Sequence, residues 1–103
     1  MIFDIVHVPD CPNVTVVRDR LRQAVECTGV VATIRTTEVS TPDEATQIGM
    51  HGSPTILLDG RDLFPGTAGQ PSLSCRLYLV GTAIEGAPST SQIAAAIDAS
   101  TSP

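Results

Sequence analysis

Ile2-Phe3-Asp4-Ile5-Val6-His7-Val8-Pro9-Asp10-Cys11-Pro12-Asn13 opens the chain, and its reading decides the fold. Residues 2–8 are apolar except at Asp4 and His7, the pattern of a strand buried on both faces of a mixed or parallel sheet. Pro12 has the fixed φ that suits the first position of a helix, which puts Cys11 at the N-cap. Beyond it, Val14, Val17, Leu21, Ala24 and Val25 recur at helical spacing, with Arg18, Asp19, Arg22 and Gln23 mainly off that stripe. Gly29 ends this helix.

Residues 30–39 are rich in β-branched side chains and hold no Gly or Pro, so they read as a second strand reached by a right-handed crossover. Thr41, Pro42 and Glu44 stand where an N-cap, a first-position proline and a capping-box glutamate belong. They predict a short helix to about Met50, with Ala45 and Ile48 inward. His51-Gly52-Ser53-Pro54 interrupts, and residues 55–58 form a third strand closed by Asp59-Gly60. Residues 61–72, with Pro65, Gly66, Gly69 and Pro71, read as a loop too long for a tight hairpin and a place for function. Residues 73–80 read as a fourth strand, antiparallel to the third across that loop. Ser89 and Gln92 frame a second capping box, opening a last helix with Ile93, Ala96 and Ile97 inward. One domain over residues 1–99 and a flexible tail over 100–103 are expected. The order is β-α-β-α-β-β-α, an α/β fold with a central mixed four-stranded sheet and helices on both faces.

Composition narrows the function. The 103 residues suffice for one core, and the net charge is −5, with six arginines, no lysine and eleven acids. No basic face is left to neutralise phosphates, and Phe3, Phe64 and Tyr78 are the only aromatics, so nucleic acid is not an expected partner. No apolar run approaches the ~20 residues of a membrane helix, and no basic-then-apolar leader is present, so a soluble, cytoplasmic chain with no membrane partner is expected. An odd count of three cysteines argues against a secreted disulfide framework, and their wide spacing argues against a zinc finger. Thiol chemistry remains; no cofactor is called for, and the oligomeric state is not legible.

A cysteine at a helix N-cap faces unsatisfied backbone N–H groups and the positive end of the helix dipole, which favour thiolate, with Asp10 opposing. Cys11 is therefore the leading reactive thiol. Cys75 is either its partner, in a reversible disulfide or a two-thiolate grip on a soft cation, or a small apolar residue on a strand. Arg76 alternates to the other face of that strand and meets an acid elsewhere. Cys27, late in the first helix, is a bystander, and His7 is a hydrogen-bonded strand histidine. His51 either trades protons with Cys11 or complements a helix C-terminus.

Taken together, the β-α-β-α-β-β-α order, Cys11 after the first strand and Ser53-Pro54 before the third resemble the thioredoxin-like superfamily. By that resemblance Cys11-Pro12-Asn13-Val14 occupies the place of the Cys-x-x-Cys motif, and Ser53-Pro54 that of the cis-proline dipeptide. Val14 stands where the resolving cysteine would be, which implies monothiol chemistry or a resolving role for Cys75 or an external thiol. The ensemble Val8-Pro9-Asp10-Cys11-Pro12-Asn13, Gly52-Ser53-Pro54-Thr55, Asp59-Gly60, Phe64 and Pro71-Ser72-Leu73-Ser74-Cys75-Arg76-Leu77-Tyr78 is similar to small bacterial thioredoxin-like proteins often labelled alkylmercury lyases. Cleaving a carbon–mercury bond takes a larger catalytic domain than this chain, so lyase activity is not expected. The expected function is redox or nucleophilic thiol chemistry on a disulfide, peroxide or electrophile, with Cys11 and Cys75 catalytic. Pro12, Asn13, Ser53 and Pro54 would contact a small thiol or protein disulfide, docked on the Ser53-Pro54 backbone as an added strand. The alternatives are a non-enzymatic soft-metal (mercury) binder using Cys11 and Cys75, and an inactive scaffold that keeps the fold.

Overall fold

Phe3 and Ile5 point to one face of their strand and Val6 to the other, and each face meets its own layer of helix. A computed structural model, describing residues 1–65 and 70–101, places β1 (Ile2–His7) inside a mixed four-stranded sheet. It pairs in parallel with β2 (Thr33–Glu38), Ile2 opposite Thr33, and antiparallel with β4 (Thr55–Leu58), Ile5 opposite Ile56. The order β2-β1-β4-β5 is completed by β5 (Arg61–Asp62). Helices α1 (Val14–Thr28) and α3 (Thr90–Thr101) cover one face, burying Val17, Leu21, Ile93 and Ile97 against Phe3, Ile5 and Ile56. The short α2 (Pro42–Ile48) covers the other, with Ala45, Met50 and Val39 against Val6 and Leu57. No helix among the described residues is long and apolar enough to cross a membrane.

Local signals of the sequence hold at the helix ends. Gly29, left-handed at φ 72°, closes α1 through its N–H to the Val25 carbonyl at 3.0 Å. At α2, Thr41 Oγ1 accepts the Glu44 N–H, while the Glu44 carboxylate reaches the Ser40 N–H instead of that of Thr41. The α3 box is reciprocal: Gln92 N–H donates to Ser89 Oγ at 3.1 Å, and Ser89 N–H to Gln92 Oε1 at 2.9 Å.

The second half of the chain departs from expectation. Asp59 and Gly60, at φ 49° and 87°, make a two-residue turn, so the antiparallel neighbour of the third strand is Arg61–Asp62 and not residues 73–80. Part of the loop expected over 61–72 is thus strand, and its residues 66–69 lie outside the described residues. Residues 73–80 split into β6 (Ser72–Cys75) and β7 (Tyr78–Val80), because Arg76 between them turns into the interior, 4% exposed. His51–Ser53, read as an interruption, is the strand β3, which pairs in parallel with β6. β7 pairs with β8 (Ala83–Glu85) in a hairpin whose opposed Leu79 and Ile84 face solvent. β2 is shorter than residues 30–39, with Val31 in water before it. Ser100 and Thr101, expected in the tail, belong to α3, where Ser100 Oγ donates to the Ala96 carbonyl; residues 102–103 lie outside the described residues.

Replacing Ser89 by Ala removes the acceptor of the α3 cap and is expected to lower stability by about 1 kcal/mol. Urea unfolding should show the lower midpoint with an unchanged slope.

Candidate functional site

Four consecutive residues, Gly52-Ser53-Pro54-Thr55, are tied by hydrogen bonds to two distant parts of the chain. Ser53 Oγ accepts the Val8 N–H at 3.0 Å, where the chain leaves β1 toward Cys11. The Ser53 carbonyl accepts the Arg76 N–H at 3.0 Å, and the Pro54 carbonyl accepts the Tyr78 hydroxyl at 2.7 Å. The Ser53–Pro54 peptide is cis. Thr55 Oγ1 donates to the Gly52 carbonyl at 2.6 Å and accepts from Arg76 NH1 at 3.2 Å. Gly52 is required here: at φ 98°, a Cβ would also stand 2.9 Å from Arg76 Cβ and 3.2 Å from the Ser74 carbonyl.

Arg76 is the centre of this cluster. Its NH1 lies 2.7 Å from Asp62 Oδ2, its NH2 donates to the Phe64 carbonyl at 2.7 Å, and its guanidinium lies 5.0 Å from the centre of the Tyr78 ring. Phe64 meets Tyr78 edge-on at 5.7 Å. The Asp62 carboxylate also accepts from His51 Nδ1 at 3.1 Å and from the Phe64 N–H at 2.8 Å. Burial pushes the Tyr78 phenol above its ordinary range, with Arg76 opposing and Asp62 adding to the rise, so Tyr78 stays a neutral donor to Pro54. A buried guanidinium and carboxylate are tolerated here because each has several close partners.

Of the thiols, Cys75 borders this cluster. All three cysteines are free, Cys11 half-buried and Cys27 and Cys75 exposed. Cys11 is not the N-cap of α1: Asp10 takes a left-handed φ of 59°, Cys11 lies between that turn and the one at Pro12-Asn13, and the cap is Asn13, whose carbonyl accepts the Val17 N–H at 3.0 Å. Pro12 is exposed, and the half-buried Asn13 packs so closely on Gly86 that a Cβ there would overlap its amide. Cys75, at the end of β6, stands opposite Ser53. β6 and the Arg76 N–H occupy one backbone edge of β3 at Ser53. His51 does not end a helix. It sits on β3 with its ring on Asp62, and with Cys75 it lines an open groove of about 460 Å³ that also includes Ser72, Ser74 and Leu77. Cys11 is not among the residues lining that groove.

The Cys75 thiol is exposed; the sequence reading left it open between a partner of Cys11 and a small apolar strand residue, and sent Arg76 to an acid on the other face. It missed Asp62 as that acid and Tyr78 as a clamp on Pro54. The available signal was an arginine between Cys75 and Leu77-Tyr78, a charge within an apolar run that demands a buried partner. Among the described residues no group of three or more His, Cys, Asp and Glu side chains gathers to hold a metal ion. Comparison of the chain with protein-family models, with curated proteins and with solved structures gives no match.

Asp62→Ala is expected to cost about 3–5 kcal/mol, because it leaves the Arg76 charge buried without its carboxylate. Arg76→Met added to Asp62→Leu should recover part of that loss, and urea unfolding of the single and double variants measures both.

Proposed function

We propose that the chain is a thioredoxin-like thiol protein in which Cys11 and Cys75 carry out thiol–disulfide exchange. The observation that carries this reading is the convergence of both cysteine-bearing segments on Ser53: its hydroxyl holds Val8, three residues before Cys11, and its backbone faces Cys75 across the β3–β6 pair. The β2-β1-β4-β5 order, with helices on both faces and the cis Ser53–Pro54 peptide preceding β4, supports the same architecture.

In this reaction the Cys11 thiolate attacks one sulfur of a substrate disulfide, a new S–S bond forms, and the other substrate sulfur departs as thiolate. Cys75 then attacks the Cys11 sulfur, releasing the second substrate thiol and leaving a Cys11–Cys75 disulfide. Two protein thiols are oxidised as one substrate disulfide is reduced. Closing the bridge requires Cα atoms within about 7 Å. Cys11 lies ahead of the first helical hydrogen bond and outside the α1 ladder. Cys27, on the far turns of α1, takes no part.

The test is peptide mapping after treatment of a Cys27→Ser protein with one equivalent of hydroxyethyl disulfide. A Cys11–Cys75 linked peptide is expected, with a mixed disulfide trapped on Cys11 in the additional Cys75→Ser variant. Cys11→Ser should slow consumption of the reagent by at least about tenfold. Equal rates for parent and Cys11→Ser, with no linked peptide, would overturn the proposal.

A further inference from the structure

His51 Nδ1 is committed to the Asp62 carboxylate at 3.1 Å, and that carboxylate is itself fixed by Arg76 and the Phe64 N–H. An acceptor on Nδ1 keeps the proton there, so the neutral ring carries its lone pair on Nε2. Among the described residues no hydrogen bond engages Nε2. The imidazole is neither fully buried nor free in water, with its side chain 26% exposed, and it borders the same groove as the Cys75 thiol. The groove they share is open and about 460 Å³ in volume.

A base oriented by a buried carboxylate and bordering the same groove as a nucleophile is suited to move a proton during sulfur or oxygen attack. We propose that His51 is the proton carrier of the step made by Cys75. The inference rests on the exchange reaction proposed above. In that step the Cys75 thiol gives its proton to His51 Nε2 as its sulfur attacks the Cys11 mixed disulfide. The Cys11–substrate S–S bond breaks, the Cys11–Cys75 bond forms, and the substrate sulfur leaves with the proton returned by His51. Sulfur, electrons and protons balance with no further reagent. Asp62 is a positioning residue: it fixes the tautomer and the ring plane and touches no reacting atom. His51 thereby serves Cys75, where the sequence left open a proton exchange with Cys11 or a place at a helix C-terminus.

The test uses the chain carrying Cys11→Ser and Cys27→Ser, in which Cys75 is the sole thiol, and measures its alkylation by iodoacetamide at neutral pH. His51→Asn is the informative variant, because its amide still donates to Asp62 from the Nδ1 position while Nε2 is lost. At least about tenfold slower alkylation is expected with an unchanged unfolding midpoint, and His51→Gln, whose amide nitrogen accepts no proton, should be as slow. Alkylation in His51→Asn within twofold of the parent would overturn the proposal. The arrangement without Cys11 separates the two ideas: a His51-dependent Cys75 with no Cys11–Cys75 disulfide in the full chain refutes the exchange reaction alone. In the chain retaining Cys11, the mixed disulfide on Cys11 should also persist at least about tenfold longer in His51→Asn, and an unchanged lifetime counts against the proton carrier.

Discussion

A guanidinium buried between two sheet elements dominates the second half of this protein. Arg76 is placed where water cannot solvate it, so its charge has to be met by protein, and Asp62, Thr55 and the Phe64 carbonyl meet it. Those partners come from β4, from β5 and from the residues after β5. One side chain therefore joins the edge of the main sheet to the separate β3–β6 pair. The apolar core formed by α1, α3 and β1 is held mainly by burial.

The same ion pair organises the polar environment of the thiols. With Asp62 occupied by Arg76 on one oxygen and by the Phe64 N–H on the other, its contact to His51 is a fixed point and not a passing surface pair. Tyr78 adds a second fixing point through Pro54, and its burial keeps the hydroxyl protonated for that bond. The loop Gly52–Thr55 is consequently held from both sides, by Val8 on the Cys11 side and by Arg76 and Tyr78 on the Cys75 side.

What could be read in the sequence were the features written over three to seven residues. The stripe from Val14 to Val25, the caps at Thr41 and Ser89 and the Asp59-Gly60 turn depend on neighbours in the chain, and each has its counterpart in the structure. The errors arose where distant partners decide. Nothing next to residue 76 announces that an acid 14 positions earlier will draw it inward, so the strand expected over residues 73–80 looked continuous. A two-residue strand such as β5 leaves no periodicity to detect. At Cys11 the local rule misled, because proline at a first helical position is a preference, and the left-handed Asp10 moved the helix start to Val14.

Cys75 and Arg76 are consecutive residues on opposite sides of the chain, one exposed and one buried. Sliding β6 by a single position against β3 would send the guanidinium into water and carry the thiol into the interior, leaving Asp62 buried without its cation. The arginine is thus a register lock, and the accessibility of the neighbouring sulfur is specified by electrostatics on the other face of its own strand.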